Sequence, residues 1–186
     1  AKELELFTRG PIESKRITVE VCVHHLWFDE SRYADLGARI KCNPAIKTRE
    51  DRDALRQALA ENVIDVIATD HAPHTLTEKS RSYFAAPAGL PLVQHSLAML
   101  LELHREGVLS LVTIVEKSAH NPARLFGIVD RGFLREGYFA DLAIVDLDRS
   151  TVVTREQLRY KCGWSPLEGV TLHSALYMTV LNGVPV

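Results

Sequence analysis

Three side chains able to do chemistry, Asp70, His71 and His74, crowd the end of the short apolar run Val66–Thr69. A carboxylate placed there can ligate a hard or borderline metal or act as a base, and the imidazoles can ligate or hydrogen-bond an anion. Two further polar residues stand at the ends of β-like runs. His24 follows the alternating stretch Ile17–Val23, and Asn43 follows Ala38–Cys42. The Asn43 amide offers both a donor and an acceptor, which suits a planar imide or ureido group. Each residue also has a plainer local reading: a capping Asp, a structural His, a turn-forming Asn before Pro44. Polar residues at three strand ends favour a common site over three separate coincidences.

The elements that must position them follow from patterning. Val66–Thr69 is β-branched and too short for a helix, and Pro73 stops it, so it reads as a buried strand. In Ile17–Val23, the valines at 19, 21 and 23 point one way, and Thr18, Glu20, Cys22 and His24 the other. In a barrel the polar set faces the axis. His25 then points to the opposite face and is expected to make a structural hydrogen bond. Thr48 to Asp51 opens a helix whose apolar side is Leu55, Leu59 and Val63. Strand, helix, strand is βαβ logic and argues for a parallel sheet. Ala1–Arg9 reads as an amphipathic helix ended by Gly10-Pro11, and Thr75–Tyr83 as a mobile polar stretch. Phe84–Pro91 is a loop whose small residues let backbone approach a ligand. Helices are expected at Leu92–Arg105, Leu109–Ala119 and Asn121–Phe126. From about Ile128 the chain turns β-rich, giving two parts, 1–127 and 128–186.

Bulk properties narrow the class. With 186 residues, 46% hydrophobic and 25% charged, the chain is sized for one globular domain or slightly more. A net charge of −2 gives no electrostatic case for nucleic acid or an anionic membrane. No apolar run is long enough to span a bilayer. Three scattered cysteines, Cys22, Cys42 and Cys162, suggest a reducing compartment. Both ends read as interruptions, as though the chain were cut from something longer.

Taken together, the motifs resemble the dihydroorotases of the amidohydrolase superfamily. Val21-Cys22-Val23-His24-His25-Leu26 resembles the family's strand-six motif, whose first His binds zinc. Lys41-Cys42-Asn43-Pro44-Ala45-Ile46-Lys47 resembles the strand-seven substrate motif. Thr69-Asp70-His71-Ala72-Pro73-His74 resembles the strand-eight signature, the most specific of the set. Ala86-Pro87-Ala88-Gly89 resembles the substrate loop that follows, and Gly137–Leu142 the return to a small β-sandwich. Val23, Lys47 and Ala88 depart from the commoner forms, which carry Pro, Arg and an aromatic. The family's His-x-His pair, bridging carboxylated Lys or Asp, and strand-five His have no counterpart here.

The resemblance implies an α/β fold: a partial TIM-type (β/α) barrel, strands six to eight, followed by part of a β-sandwich. It implies a zinc hydrolase that reversibly cyclises N-carbamoyl-L-aspartate to dihydroorotate in the cytoplasm. Two zinc ions would be held with His24 and Asp70 among their ligands. Asp70 would also be the catalytic acid and base, and Asn43, His74, Ala88 and Gly89 would bind substrate. A homodimer and an association with aspartate carbamoyltransferase stay open. So do a sister cyclic amidohydrolase (hydantoinase, dihydropyrimidinase or allantoinase) and a non-catalytic dihydroorotase-like subunit.

Overall fold

The computed structural model describes residues 1–186. Two short parallel strands hold its centre. Strand β1 (Glu20–Cys22) runs directly into helix α1 (Val23–Trp27), and α2 (Tyr33–Leu36) and α3 (Arg49–Ala60) lead to strand β2 (Val66–Ala68). The two strands pair in the register Glu20 with Val66, Val21 with Ile67 and Cys22 with Ala68. Helix α3 starts where expected, because the Thr48 side chain accepts from the Asp51 N–H. Beyond β2 come α4 (Leu76–Lys79), α5 (Ser96–Arg105), α6 (Leu111–Val115) and α7 (Asn121–Leu125), with a π turn at Glu116–His120 between the last two. No helix is long and apolar enough to cross a membrane.

Several expectations are corrected. Ala38–Cys42 is not a strand: Gly37–Ile40 is a 3-10 turn entered through Gly37 at φ +50°. The Lys41 carbonyl that a ladder would use accepts instead from Gly89 N–H. Because β1 and β2 bond directly to each other, no third strand stands between them. The expected sequence of strands six, seven and eight therefore has one strand too many. Ile17–Val23 yields only three strand residues, since Val23 already opens α1. The opening helix is only a 3-10 turn, Lys2–Leu6, with no buried residue. The stretch expected to be mobile is ordered: Thr75 and Glu78 form a reciprocal capping box around α4.

The remaining strands are β3 (Leu142–Asp146), β4 (Thr151–Val152), β5 (Thr171–Leu172), β6 (Ala175–Leu181) and β7 (Val184–Pro185). They make an antiparallel β3-β6-β7 sheet and a separate β4-β5 pair. One continuous core joins Val21, Leu26 and Ile67 around the parallel pair to Met99 and Leu103 of α5, and also to Leu167 in the long β4-β5 connection. Val153 and Leu172 belong to it too. The boundary expected at residue 128 thus crosses the core. The β3-β6-β7 sheet contributes no residue to it and leaves Leu176 and Tyr177 exposed.

Asp65 sits one residue before β2 and is completely buried. Its carboxylate accepts from Val19 N–H at 3.0 Å and from Lys15 Nζ at 2.7 Å. Removing one partner of a buried pair strands the other charge, which costs about 3–5 kcal/mol. Asp65→Ala should lower unfolding stability by an amount in that range, measured by urea titration. A loss below about 1 kcal/mol, as for an exposed pair, would show that Lys15 finds other solvation.

Candidate active site

A cavity of about 460 Å³ opens beside the C-terminal ends of β1 and β2. Its wall includes Cys22 and His25 from the β1 end, Asn43 and Lys47 from the following loop, and Asp70 from the β2 end. The pairing register explains the arrangement: Cys22 is level with Ala68, so the chain leaves both strands on the same side. Asp70 is exposed and adopts φ +43°, a left-handed conformation that Asp tolerates better than most residues. Asn43 and Asp70 both line this cavity.

His24 is elsewhere. It lies in the first turn of α1, fully buried, and both ring nitrogens lack a hydrogen-bond partner. It does not line the cavity; His25 does. The resemblance ties His24 to metal, and a buried imidazole with both nitrogens unpartnered has the donor atoms such a role needs. His25 makes the structural bond expected of it, through Nε2 to the Pro44 carbonyl at 2.8 Å, yet it also faces the cavity. Cys22, His24 and His25 bring their donor atoms within 4.8 Å of one another. The sequence placed Cys22 on the axial face of its strand and gave His25 a structural bond, but marked neither as a donor at the site.

His74, Ala88 and Gly89 do not line the cavity, and His74 is instead bonded to the Ala88 loop. Its Nε2 donates to the Ala88 carbonyl at 3.0 Å, and Trp164 Nε1 donates to its own carbonyl at 2.8 Å. Gly89 N–H is bonded to Lys41 O, and Gly89 O accepts from Lys79 Nζ. Both Gly89 backbone groups are thus bonded within the protein. His71 turns away, its Nδ1 accepting from Leu92 and Val93 N–H.

The titratable groups separate by burial. Burial pushes the Cys22 thiol up to about 12, with Glu20 and Asp70 adding repulsion, and the Cys42 thiol up to about 11. Neither is a thiolate nucleophile at neutral pH. Burial, then the neighbouring His25, drives His24 down to about 3 against an ordinary value of 6.5, with the Thr69 backbone opposing. Between those two values the unfolded chain binds a proton that the folded chain refuses. Stability from this residue is therefore full above about pH 6.5 and falls as pH drops toward 3. His24→Gln should shallow the decline in urea stability between pH 7 and pH 5; an unchanged slope would count against the assignment.

Gly89 supplies a second test. It has φ +131°, and a Cβ there would lie 2.7 Å from Ala72 Cβ and closer still to Ala72 O. Gly107, at φ +75°, has nothing within 4 Å. Gly107→Ala should cost only the left-handed penalty, about 1–2 kcal/mol. Gly89→Ala should cost more and displace the loop from Ala72. Equal losses in thermal unfolding would refute the close-packing argument.

Comparison with known proteins accords with these motifs. Residues 7–186 match the family model described as "Amidohydrolase family". The chain is 36% identical over 184 residues to the dihydroorotase of Endomicrobium trichonymphae, covering 98% of this chain and 44% of that protein. It is 37% identical over 183 residues to the dihydroorotase of Pyrococcus furiosus, covering 98% and 42%. Among solved structures, the L-hydantoinase (dihydropyrimidinase) of Arthrobacter aurescens superposes with a TM-score of 0.89 at 30% identity, over 94% of this chain and 40% of that one. The chain spans about two fifths of the length of these relatives. The cavity at the paired strand ends, the Asp70 signature and a match along nearly the whole sequence place this chain in the amidohydrolase family.

Proposed function

We propose that the chain supplies part of a dihydroorotase site, which interconverts N-carbamoyl-L-aspartate and dihydroorotate. The observation that carries this reading is Asp70 and Asn43 on one cavity wall at the C-terminal end of a parallel strand pair. The curated relatives named dihydroorotase, 33–39% identical to this chain, supply the substrate. We read β1 and β2 as neighbouring strands of a (β/α) barrel and the β3-β6-β7 sheet as part of a small sandwich.

The residues present fit a divalent metal at Asp70. A carboxylate shares the wall with a thiol and an imidazole, a donor set suited to a borderline ion such as zinc. Two zinc ions are proposed on the resemblance, with His24 and Asp70 as this chain's ligands; both buried His24 ring nitrogens lack a hydrogen-bond partner, which suits a metal ligand. When bound, such an ion makes a water acidic near neutral pH and polarises a carbonyl. Asp70 would take a proton from the attacking water and return it to the departing ring nitrogen; cyclisation runs the same transfers backward. Asn43 would hold the planar ureido edge through its donor and acceptor. Lys47, on the same wall, offers a cation to the substrate carboxylate. His74 and the Ala88 backbone would bound the ring from the adjoining loop.

The likeness to a hydantoinase gives the second reading, so the assay must include both substrates. We expect the 186-residue chain alone to be inactive. In the metal-loaded complete enzyme of which it supplies part, dihydroorotate should turn over faster than hydantoin or dihydrouracil, and the reverse order would move the assignment to the hydantoinases. Asp70→Asn should keep much of its metal, since an amide still offers an oxygen. Its activity should fall by about 10²–10⁴-fold or more, the range for general acid–base catalysis. Near-normal kcat at full metal occupancy would leave Asp70 as a ligand alone.

A further inference from the structure

Lys79 ends the short helix α4, yet its side chain is buried, with only 2% of the residue exposed. No carboxylate faces it. Its ammonium instead donates to three backbone carbonyls: Lys41 O at 3.1 Å, Pro87 O at 2.9 Å and Gly89 O at 2.8 Å. That matches the three N–H bonds of an ammonium. Burial pushes the group down to about 8, with Lys41 adding repulsion and Cys42 opposing. At neutral pH it therefore keeps its charge and all three protons.

An unpaired buried charge is expensive, and an apolar side chain of similar volume would fill the same space more cheaply. The three acceptors explain its presence. One belongs to the segment that carries Asn43; the other two belong to the loop that carries Ala88. The loop is held from every side. Ala86 O accepts from Lys41 Nζ at 2.6 Å, Ala88 O from His74, and Leu90 O from Ala72 N–H at 3.3 Å. Five successive carbonyls, Ala86 to Leu90, are thus bonded inward. Gly89 N–H shares the Lys41 carbonyl with Lys79. Lys79 grips both segments from a third element, α4, while Lys41 Nζ reaches the loop from the Asn43 segment itself.

We propose that Lys79 is a positioning residue that locks the Ala86–Gly89 loop to the Asn43 segment and so sets the gap into which the substrate ring fits. This rests on the reading that these two segments hold the substrate. Without the ammonium, the two segments shift independently and substrate binding weakens, while proton transfer at Asp70 is left in place.

The test uses Lys79→Met and, because a buried position can fail to fold, also Lys41→Met, whose partly exposed side chain grips the same loop from outside through Tyr83 O and Ala86 O. Both are made in the metal-loaded complete enzyme of which this chain supplies part. Lys79→Met should raise KM for dihydroorotate by about tenfold or more, in line with the cost of small misplacements, with kcat changed by less than about threefold. Metal content should be unchanged, and the Gly89 amide should exchange with deuterium faster. Lys41→Met should move both readouts the same way by a smaller factor, and it decides the matter alone if Lys79→Met does not fold. A folded variant with unchanged KM overturns the proposal, whether or not exchange at Gly89 speeds up. If the unaltered protein turns over no cyclic amide, the functional reading fails instead. Exchange at Gly89 then still shows whether Lys79 locks the loop: faster exchange supports the lock, and unchanged exchange overturns it.

Discussion

The placement of the site depends on the clamp that Asp65 makes between β1 and β2. Asp65 N–H donates to Val19 O at 2.8 Å while its carboxylate accepts from Val19 N–H, so one residue bonds both backbone groups of its neighbour. Lys15 Nζ bonds the same carboxylate and also the Asn62 and Val63 carbonyls. Asn121 Nδ2 donates to Asp65 O at 2.8 Å, tying the helical region beyond α6 to the same point. Two three-residue strands have too few side chains to fix their own register by hydrophobic pattern, and a slip of one residue reverses every side chain. A buried charged pair adds little net stability against an apolar substitute, but it tolerates only one alignment. That alignment sets Cys22 level with Ala68 and carries Asn43 and Asp70 to one cavity.

Beyond the strands, positioning passes to backbone carbonyls. The loop at residues 86–89 contains only Ala, Pro and Gly, with no side chain able to hydrogen-bond, and Leu90 anchors its end in the core. Its conformation is imposed by donors reaching in from Lys41, Lys79, His74 and Ala72. Small residues allow this, because a Cβ at Gly89 would overlap Ala72. The composition of the loop and the cationic donors around it are two parts of one device: backbone that approaches closely needs its carbonyls satisfied from outside.

What was legible in the sequence was what local pattern determines. The strand at Val66, the helix opened by Thr48, and the juxtaposition of Asn43 with Asp70 needed only β-branching, a cap and strand-end polarity. The failures share a physical cause, since in each a long-range partner decided the outcome. Ala38–Cys42 has strand-like composition, but its carbonyl is bonded by Gly89 and Lys79, 48 and 38 residues away in sequence. His24 looked like the end of an alternating strand, but the strand stops at Cys22 and the His turns into the interior. Lys79 sits in a polar run whose charge suggested solvent. The Thr75–Glu78 spacing announced a helix cap, yet nothing local announced that its last residue would be buried.

Residues after 128 also reach the candidate site's surroundings. Trp164 is almost wholly buried in the irregular connection between β4 and β5, and its indole N–H bonds the carbonyl of His74, 90 residues earlier. Tyr160 O–H accepts from Gln94 N–H at 3.1 Å and packs near His71, with ring centroids 5.5 Å apart. Leu167 and Leu172 enter the core that encloses β1 and β2. A hydrogen bond from a rigid, buried indole fixes the peptide it touches more tightly than an exposed loop contact could. The His74 backbone is thus held by the late segment while its imidazole is bonded to the Ala88 loop. The later part of the chain is in this respect one wall of the site's scaffold, while the β3-β6-β7 sheet, with Leu176 and Tyr177 open to solvent, contributes no residue to that core.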